Sequence, residues 1–226
     1  MQKVVVLSGA GMSAESGLKT FRDANGLWEG HDVMQVATPE GWKANQELVL
    51  RFYNERRKQL LEVLPNQGHL DLVKLEEAYD VHIITQNVDD LHERAGSSKV
   101  IHLHGELLKV RSCKDPSQVL EWKKDLKTGD LCPQGGQLRP HIVWFGEEVP
   151  LMEDAAHIVS QADYIIIVGT SMQVYPAAGL ITLAQPDAEV FFIDPAPAIT
   201  QKKGLTILPE RATTGVKKVV DTLLSK

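Results

Sequence analysis

Cysteine is nearly absent from this 226-residue chain, with Cys113 and Cys132 the only two. Two thiols cannot build the disulfide framework of a small secreted domain, and they suit a reducing compartment. No apolar run approaches the roughly 20 residues that a membrane-spanning helix requires, so no membrane anchor is expected. A surplus of positive charge is missing as well. With 24 Lys and Arg against 30 Asp and Glu the net charge is −6, which argues against nucleic acid or an anionic membrane held by bulk electrostatics. The first strand begins within a few residues of Met1 and leaves no room for a leader, so the expected location is the cytoplasm. What the chain does have is 43% hydrophobic residues, enough for one large or two small domains with a sizeable core.

The stretch around which the rest is organised runs from Val4 to Asp23. Val4 to Leu7 reads as a strand buried on both faces that stops at Gly9-Ala10-Gly11. Gly9, Gly11 and Ala14 fit the G-x-G-x-x-A dinucleotide fingerprint. In that pattern the first glycine makes the turn, the second admits a pyrophosphate to the backbone, and the small third residue lets the helix pack on the strand. The anion would rest on the helix N-terminus. The polar cluster Thr20-Phe21-Arg22-Asp23 strengthens the match, although Arg22 also reads as a solvated loop charge.

Residues 18 to 79 read as an insertion of loop and helices, with Thr38-Pro39-Glu40 as a cap and first turn and Pro65-Asn66-Gln67-Gly68 as a break. Glu47 to Leu64 is helical by period. Val49, Tyr53, Arg56, Leu60 and Val63 share one arc flanked by Phe52 and Leu64, whereas Arg51, Arg57 and Lys58 lie off it and read as solvated charges. Arg56 either snorkels from this apolar face, or joins Tyr53 one turn earlier in facing a cavity that takes an anion.

From Val81 the chain alternates strand and helix, which implies a doubly wound parallel sheet. Val81 to Thr85 is a strand ending in Gln86-Asn87-Val88-Asp89, polar groups at the carboxyl edge where such sheets bind ligands. Val100 to Glu106 is the next strand, with His102 and His104 on one side. A strand histidine is commonly structural. His104, beside Gly105 at the strand's carboxyl end, is also a candidate base.

Between 106 and 142 the two cysteines have eighteen residues between them, but Pro116 and Gly135 occupy the places where a C-x-x-C zinc module needs its partners. Only Asp115 or His141 could replace them, and a small lobe without metal is expected, packed by Leu120, Trp122 and Leu126. Val143 to Glu147 reads as an extended segment that could pair with a peptide or with an ordinary sheet. A helix from Ala155 to Ser160, a strand from Tyr164 to Val168 and the stop Gly169-Thr170-Ser171 follow. A further helix opens at Tyr175, and a strand from Val190 to Ile193 ends in Asp194, either a ribose ligand or a turn former before Pro195. The last helix, Thr214 to Leu224, carries Val216, Val219, Val220, Leu223 and Leu224 on one side.

Taken together these motifs resemble the sirtuins, NAD-dependent protein lysine deacylases, over nearly the whole chain. The resemblance rests on Gly9 to Ser13, Thr20 to Arg22 with Gly26 to Trp28, Thr85 to Asp89, His102 to Gly105, Val143 to Glu147 and Gly169 to Ser171, in that order. It implies a Rossmann-like NAD-binding domain (1–17, 80–105 and 143–226), a cofactor loop and helical insertion (18–79), and a small lobe (106–142) resembling a zinc module without its ligands. His104 matches the family's general base, and Gln86, Asn87 and Asp89 the surroundings of the nicotinamide and its ribose, with Asn87 also catalytic. Gly9, Ala10, Gly11, Ser13, Phe21 and Arg22 match the cofactor turn and loop. Gly169, Thr170, Ser171, Asp194 and Ala212 match the adenosine side, although the family usually has Asn where Asp194 stands. Val143, Phe145, Gly146 and Glu147 match the segment that pairs with the substrate backbone. Tyr53 and Arg56 match the Tyr-x-x-Arg signature of the branch that prefers acidic acyl groups.

The implied reaction moves the acyl group of an acyl-lysine protein or peptide onto NAD, giving nicotinamide, acyl-ADP-ribose and free lysine. The family's zinc is not carried over, for want of cysteines. Two other classes are a dehydrogenase, which shares only the glycine fingerprint, and a non-catalytic sensor of NAD or ADP-ribose. A deacetylase without acidic-acyl preference is the nearer alternative.

Overall fold

The computed structural model describes residues 1–19, 27–28, 30–170, 174–197 and 204–226. In chain order the elements are β1 (Lys3–Ser8), α1 (Ala10–Ala14), β2 (Leu27–Trp28), β3 (His31–Asp32), α2 (Val33–Val36), α3 (Pro39–Ala44), α4 (Gln46–Glu62) and α5 (Gln67–Lys74). Then come β4 (Asp80–Thr85), α6 (Leu91–Ala95), β5 (Val100–His102), β6 (Gly105–Ser112), β7 (Val119–Glu121) and β8 (Leu138–Ile142). The chain ends with α7 (Met152–Val159), β9 (Tyr164–Val168), β10 (Glu189–Ile193), β11 (Leu205–Leu208) and α8 (Ala212–Leu224).

Six strands form one parallel sheet in the order β11-β10-β9-β1-β4-β5. Its strands read as unbroken apolar runs because both faces are covered. Val4, Val6, Ile83, Ile166 and Ile193 point into a core closed by α5 and α8, while Val5, Leu7, Ile84, Ile165 and Ile167 point into one closed by α7. The strand order reverses between β1 and β9, which opens a crevice at their carboxyl ends.

A third core joins the insertion to the small lobe, with Val49, Phe52, Tyr53 and Leu60 of α4 meeting Leu107, Val110 and Leu138 of the antiparallel sheet β7-β6-β8. Thr38 caps α3 through Gly41 N, and Asn66 caps α5 through Gly68 N. Asn66 Nδ2 also donates to Met12 O at 2.8 Å, tying the insertion back to α1.

Several sequence expectations are corrected here. The strand expected from Val100 to Glu106 breaks at Leu103-His104, and Gly105, at φ +81°, turns the chain into the second sheet. No periodicity argument pointed to β11. Leu64, Leu120 and Leu224 are exposed, since the first lies beyond the end of α4 and the other two face away from their cores. Arg57 is not a solvated charge but 1% exposed. Its Nε donates to Leu107 O at 3.2 Å and its Nη1 to Asn54 Oδ1 at 2.7 Å, stapling α4 to β6. Burial pulls its pKa down to about 10, and the guanidinium stays charged.

Removing this staple takes a charged donor from the Leu107 carbonyl and from Asn54 Oδ1, which keeps its bond from Leu126 N. Arg57→Ala should cost about 3 kcal/mol of stability, and Arg57→Met, which keeps the packed stem, less. Urea denaturation would check this, and equal stabilities for all three proteins would refute it.

Candidate active site

The carboxyl ends of β1 and β9 meet at a contact that only glycine allows. Gly9 N donates to Val168 O at 3.0 Å and Gly11 N to Gly169 O at 2.8 Å. A Cβ on Gly11 would stand 2.7 Å from Gly169 Cα, and one on Gly9 2.7 Å from Thr170 Cβ. Gly11 therefore has a reason beyond the expected approach of a pyrophosphate: a side chain there would meet Gly169. The amides of Gly9, Gly11 and Met12 are already bonded within the protein.

A cleft of about 740 Å³ opens above this contact, and every candidate site residue among the described residues borders it. Gly9, Ala10, Gly11, Ser13, Gly169, Thr170, Asp194 and Ala212 line one end, and Gln86, Asn87, Asp89 and His104 its middle. Tyr53, Arg56, Val143, Phe145, Gly146 and Glu147 line the other end. Phe21, Arg22 and Ser171 lie outside the described residues.

In the middle, the loop after β4 is bonded at nearly every step. Gln86 N donates to Ser8 O at 2.9 Å and Asn87 N to Thr85 Oγ1 at 3.0 Å. Ser13, buried on α1, donates to Asp89 Oδ2 at 2.9 Å and accepts from Asn87 Nδ2 at 3.1 Å. Burial raises the Asp89 pKa to about 6, with the bonds from Ser13 and Leu91 N opposing it. His104 Nδ1 lies 3.0 Å from Gln86 O, and a carbonyl only accepts, so Nδ1 carries the proton. The lone pair is thereby placed on Nε2. Burial holds the ring below the ordinary imidazole pKa, against the pull of the Gln86 carbonyl, so it is neutral near pH 7.

At the far end Tyr53 is fully buried and its Oη accepts the indole N–H of Trp144 at 3.0 Å, leaving its own O–H to donate. Burial raises its pKa, so the phenol stays protonated. Arg56 lies one turn on, its side chain 15% exposed and its Cζ 4.8 Å from the Phe52 ring centre. Its Nη2 stands 3.5 Å from Glu55 Oε2, but buried Nε and Nη1 have no hydrogen-bond partner. Trp144 was not singled out in the sequence, and its indole N–H is the missed contribution.

The expected extended segment Val143 to Glu147 is corrected to a turn. Glu147 N donates to Trp144 O at 3.0 Å with Gly146 at φ +88°, and Phe145 N donates to Ala37 O. The Glu147 carboxylate is occupied by Arg139 at 2.6 and 3.0 Å, Arg111 at 3.0 Å and Trp144 N at 2.8 Å. Burial opposes its charge, but these donors hold its carboxyl below the ordinary value. Asp194 is also corrected in part: its Oδ1 accepts from Ala196 N at 2.9 Å, the turn-forming reading, while the residue borders the cleft.

The residues present do not fit a four-ligand zinc site. Cys113 is exposed, Cys132 is buried with its Sγ bonded to Ser112 Oγ and Gly136 N, and no further ligand joins the two thiols among the described residues. Glu93, His102 and Glu106 do lie together, as an ion-pair cluster in which Glu93 pairs with His102 and Glu106 with Lys109.

With this geometry in place, the comparisons define the class. Residues 9–176 match the model of the Sir2 family. A relative from Helicobacter pylori strain J99, an NAD-dependent protein deacylase, is 64% identical over 195 residues, covering 86% of this chain and 83% of its own. A solved Sir2 homologue in complex with NAD superposes with a TM-score of 0.88 at 36% identity, over 99% of this chain and 90% of the other. A Sir2 protein solved with a deacetylated p53 peptide and 3′-O-acetyl ADP-ribose superposes with a TM-score of 0.83 at 28% identity, over 97% and 92%. The chain belongs to the Sir2 family, the sirtuins.

The Glu147 cluster braces the lobe where the family pattern has metal ligands. Elemental analysis should find zinc well below one per chain, and a chelator should leave Tm unchanged. Stoichiometric zinc would overturn this.

Proposed function

We propose that this Sir2-family enzyme, with NAD as co-substrate, removes acyl groups from protein lysine side chains and takes succinyl and malonyl groups at least as readily as acetyl. The observation that carries the acyl preference is the pair of buried, unpartnered guanidinium N–H groups of Arg56 beside the Tyr53 hydroxyl at the cleft's end. Unpaired buried donors are costly, and a carboxylate accepting from one of them would lower that cost. Trp144 fixes the phenol so that its proton is free to be donated. An acetyl group would leave these donors to water.

NAD supplies an electrophilic ribose carbon, from which nicotinamide departs as the acyl oxygen attaches. The protein's part is orientation and proton transfer. The Gly9 turn, Ser13, Gly169, Thr170, Asp194 and Ala212 would hold the adenosine diphosphate half, and Gln86, Asn87 and Asp89 the nicotinamide half. His104 Nε2, kept as the basic atom by the bond at Nδ1, takes the proton of a ribose hydroxyl so that this oxygen can capture the acyl carbon. One water is consumed, and free lysine, nicotinamide and acyl-ADP-ribose leave.

His104→Ala should lower turnover about 10²- to 10⁴-fold with NAD affinity nearly intact, read by single-turnover assay and calorimetry. In the wild type the base must be neutral, and activity is lost as pH falls through its pKa. Because burial lowers that pKa, the acid limb of kcat/KM should lie below about 6.5. A limb above 7, or a variant with half the wild-type rate, would remove His104 from the role.

Acyl preference is read with matched succinyl-, malonyl- and acetyl-lysine peptides by mass spectrometry. A charge-assisted bond contributes about 1.5–3 kcal/mol, roughly a 10- to 150-fold effect. Arg56→Met and Tyr53→Phe should weaken the acidic substrates by that order and the acetyl one little. Equal loss on all three would make Arg56 structural and the enzyme a plain deacetylase.

A further inference from the structure

The two histidines of His102-Leu103-His104 grip consecutive carbonyls of the loop after β4. His104 Nδ1 lies 3.0 Å from Gln86 O, and His102 Nδ1 lies 3.0 Å from Asn87 O. Two residues apart at the end of β5, the rings reach the same side of the chain, and the loop's successive peptides turn to meet them. The rings then differ. His104 Nε2 has no partner among the described residues, whereas His102 Nε2 lies 2.6 Å from Glu93 Oε1 on α6.

A carbonyl accepts only, and so does an ionised carboxylate. A ring bonded to both at hydrogen-bond distance must carry a proton on each nitrogen. His102 is therefore an imidazolium, buried to 8% exposure, between Asn87 O and Glu93. Resting on the function proposed above, we infer that Glu93 and His102 are positioning residues that clamp the Asn87 peptide by a charge-assisted bond and so hold the Asn87 side chain for the nicotinamide half of NAD. The clamp acts on the same residue that donates its backbone N–H to Thr85 Oγ1 and its side-chain Nδ2–H to Ser13 Oγ. Leu107 N donates to Val88 O at 2.8 Å, which holds the next residue of the loop as well.

The charged and titratable groups around the ring support this state. Glu93 comes from α6, and Glu106, paired with Lys109, comes from β6. Asp89 lies in the loop itself, and buried His92, held neutral by desolvation, lies on α6. Burial of His102 opposes its charge, but the Glu93 carboxylate outweighs it and raises the ring's pKa above the ordinary value. The charged form that the two acceptors require, and with it the clamp, is lost as pH rises through that raised pKa.

The test begins with the ligand-free protein. Nitrogen-15 NMR of histidine-labelled chain, with the signals assigned by their loss in His102→Gln, should show both His102 nitrogens protonated at pH 7. Glu93→Gln should return the ring to a neutral tautomer. Kinetics with NAD and an acyl-lysine peptide form the second arm. His102→Ala should lower kcat/KM for NAD by up to about 100-fold, as expected for a displaced orienting group, and His102→Gln, which keeps one donor for Asn87 O, should recover part of it. Glu93→Gln should move the basic limb of the pH profile to lower pH and leave the acid limb, set by His104, in place. A neutral His102 ring in the wild type would overturn the clamp, as would wild-type kinetics and an unmoved basic limb in these variants. A wild-type protein with the imidazolium but no nicotinamide release would instead overturn the functional reading and leave the clamp supported.

Discussion

Close contact between two backbones, the turn at Gly9 to Gly11 and the stop at Gly169, is the constraint on which the rest depends. Parallel strands that diverge in order at β1 and β9 must end side by side there, and a side chain on either glycine of the first turn would meet the other strand's chain within 2.7 Å. Once that contact is made, β4 on one side of β1 and β10 beyond β9 deliver Gln86 to Asp89 and Asp194 to the same crevice. A cleft of this kind is a property of the sheet's topology, and the loops need only supply its chemistry.

Two ends of the cleft are built on opposite physical terms. Around Gln86 to Asp89 the bonds to Ser8, Ser13, Thr85, His102, His104 and Leu107 come from separate segments and fix the loop before any substrate arrives. Such preorganisation suits a group that must be oriented. At Arg56 the reverse holds, with buried donors left open beside a phenol that has been aimed by an indole. The structure leaves two nitrogens of the Arg56 cation without a partner and satisfies the polar atoms of the loop after β4.

The small lobe shows how the fold is held where the family's zinc cysteines are missing. Glu147, at the turn that borders the cleft, is clasped by Arg139 and Arg111 from β8 and β6, and the Arg139 guanidinium lies 3.3 Å from the Trp144 ring centre. Since Trp144 in turn holds Tyr53, the brace of the lobe and the orientation of the phenol are one network. Arg57, from the other face of α4, fastens the insertion to the same lobe.

The sequence by itself determined the parallel sheet, its carboxyl-edge ligand groups and the stripe that brings Tyr53 and Arg56 to one face, because buried strands and amphipathic helices are written in local periodicity. It also placed His104 beside the loop that it bonds. It misread Arg57, whose neighbours are fifty residues away at Leu107, and the Val143 to Glu147 turn, whose shape is set by two arginines from a separate sheet. Only the tertiary structure decided that Gly11 serves a strand contact, that Trp144 aims Tyr53, and that two neighbouring histidines sit in opposite charge states. The reason is common to all of these: local pattern reports which side of an element is buried, whereas a side chain's partner and protonation depend on atoms far away in the chain that only the packed fold brings within hydrogen-bond reach.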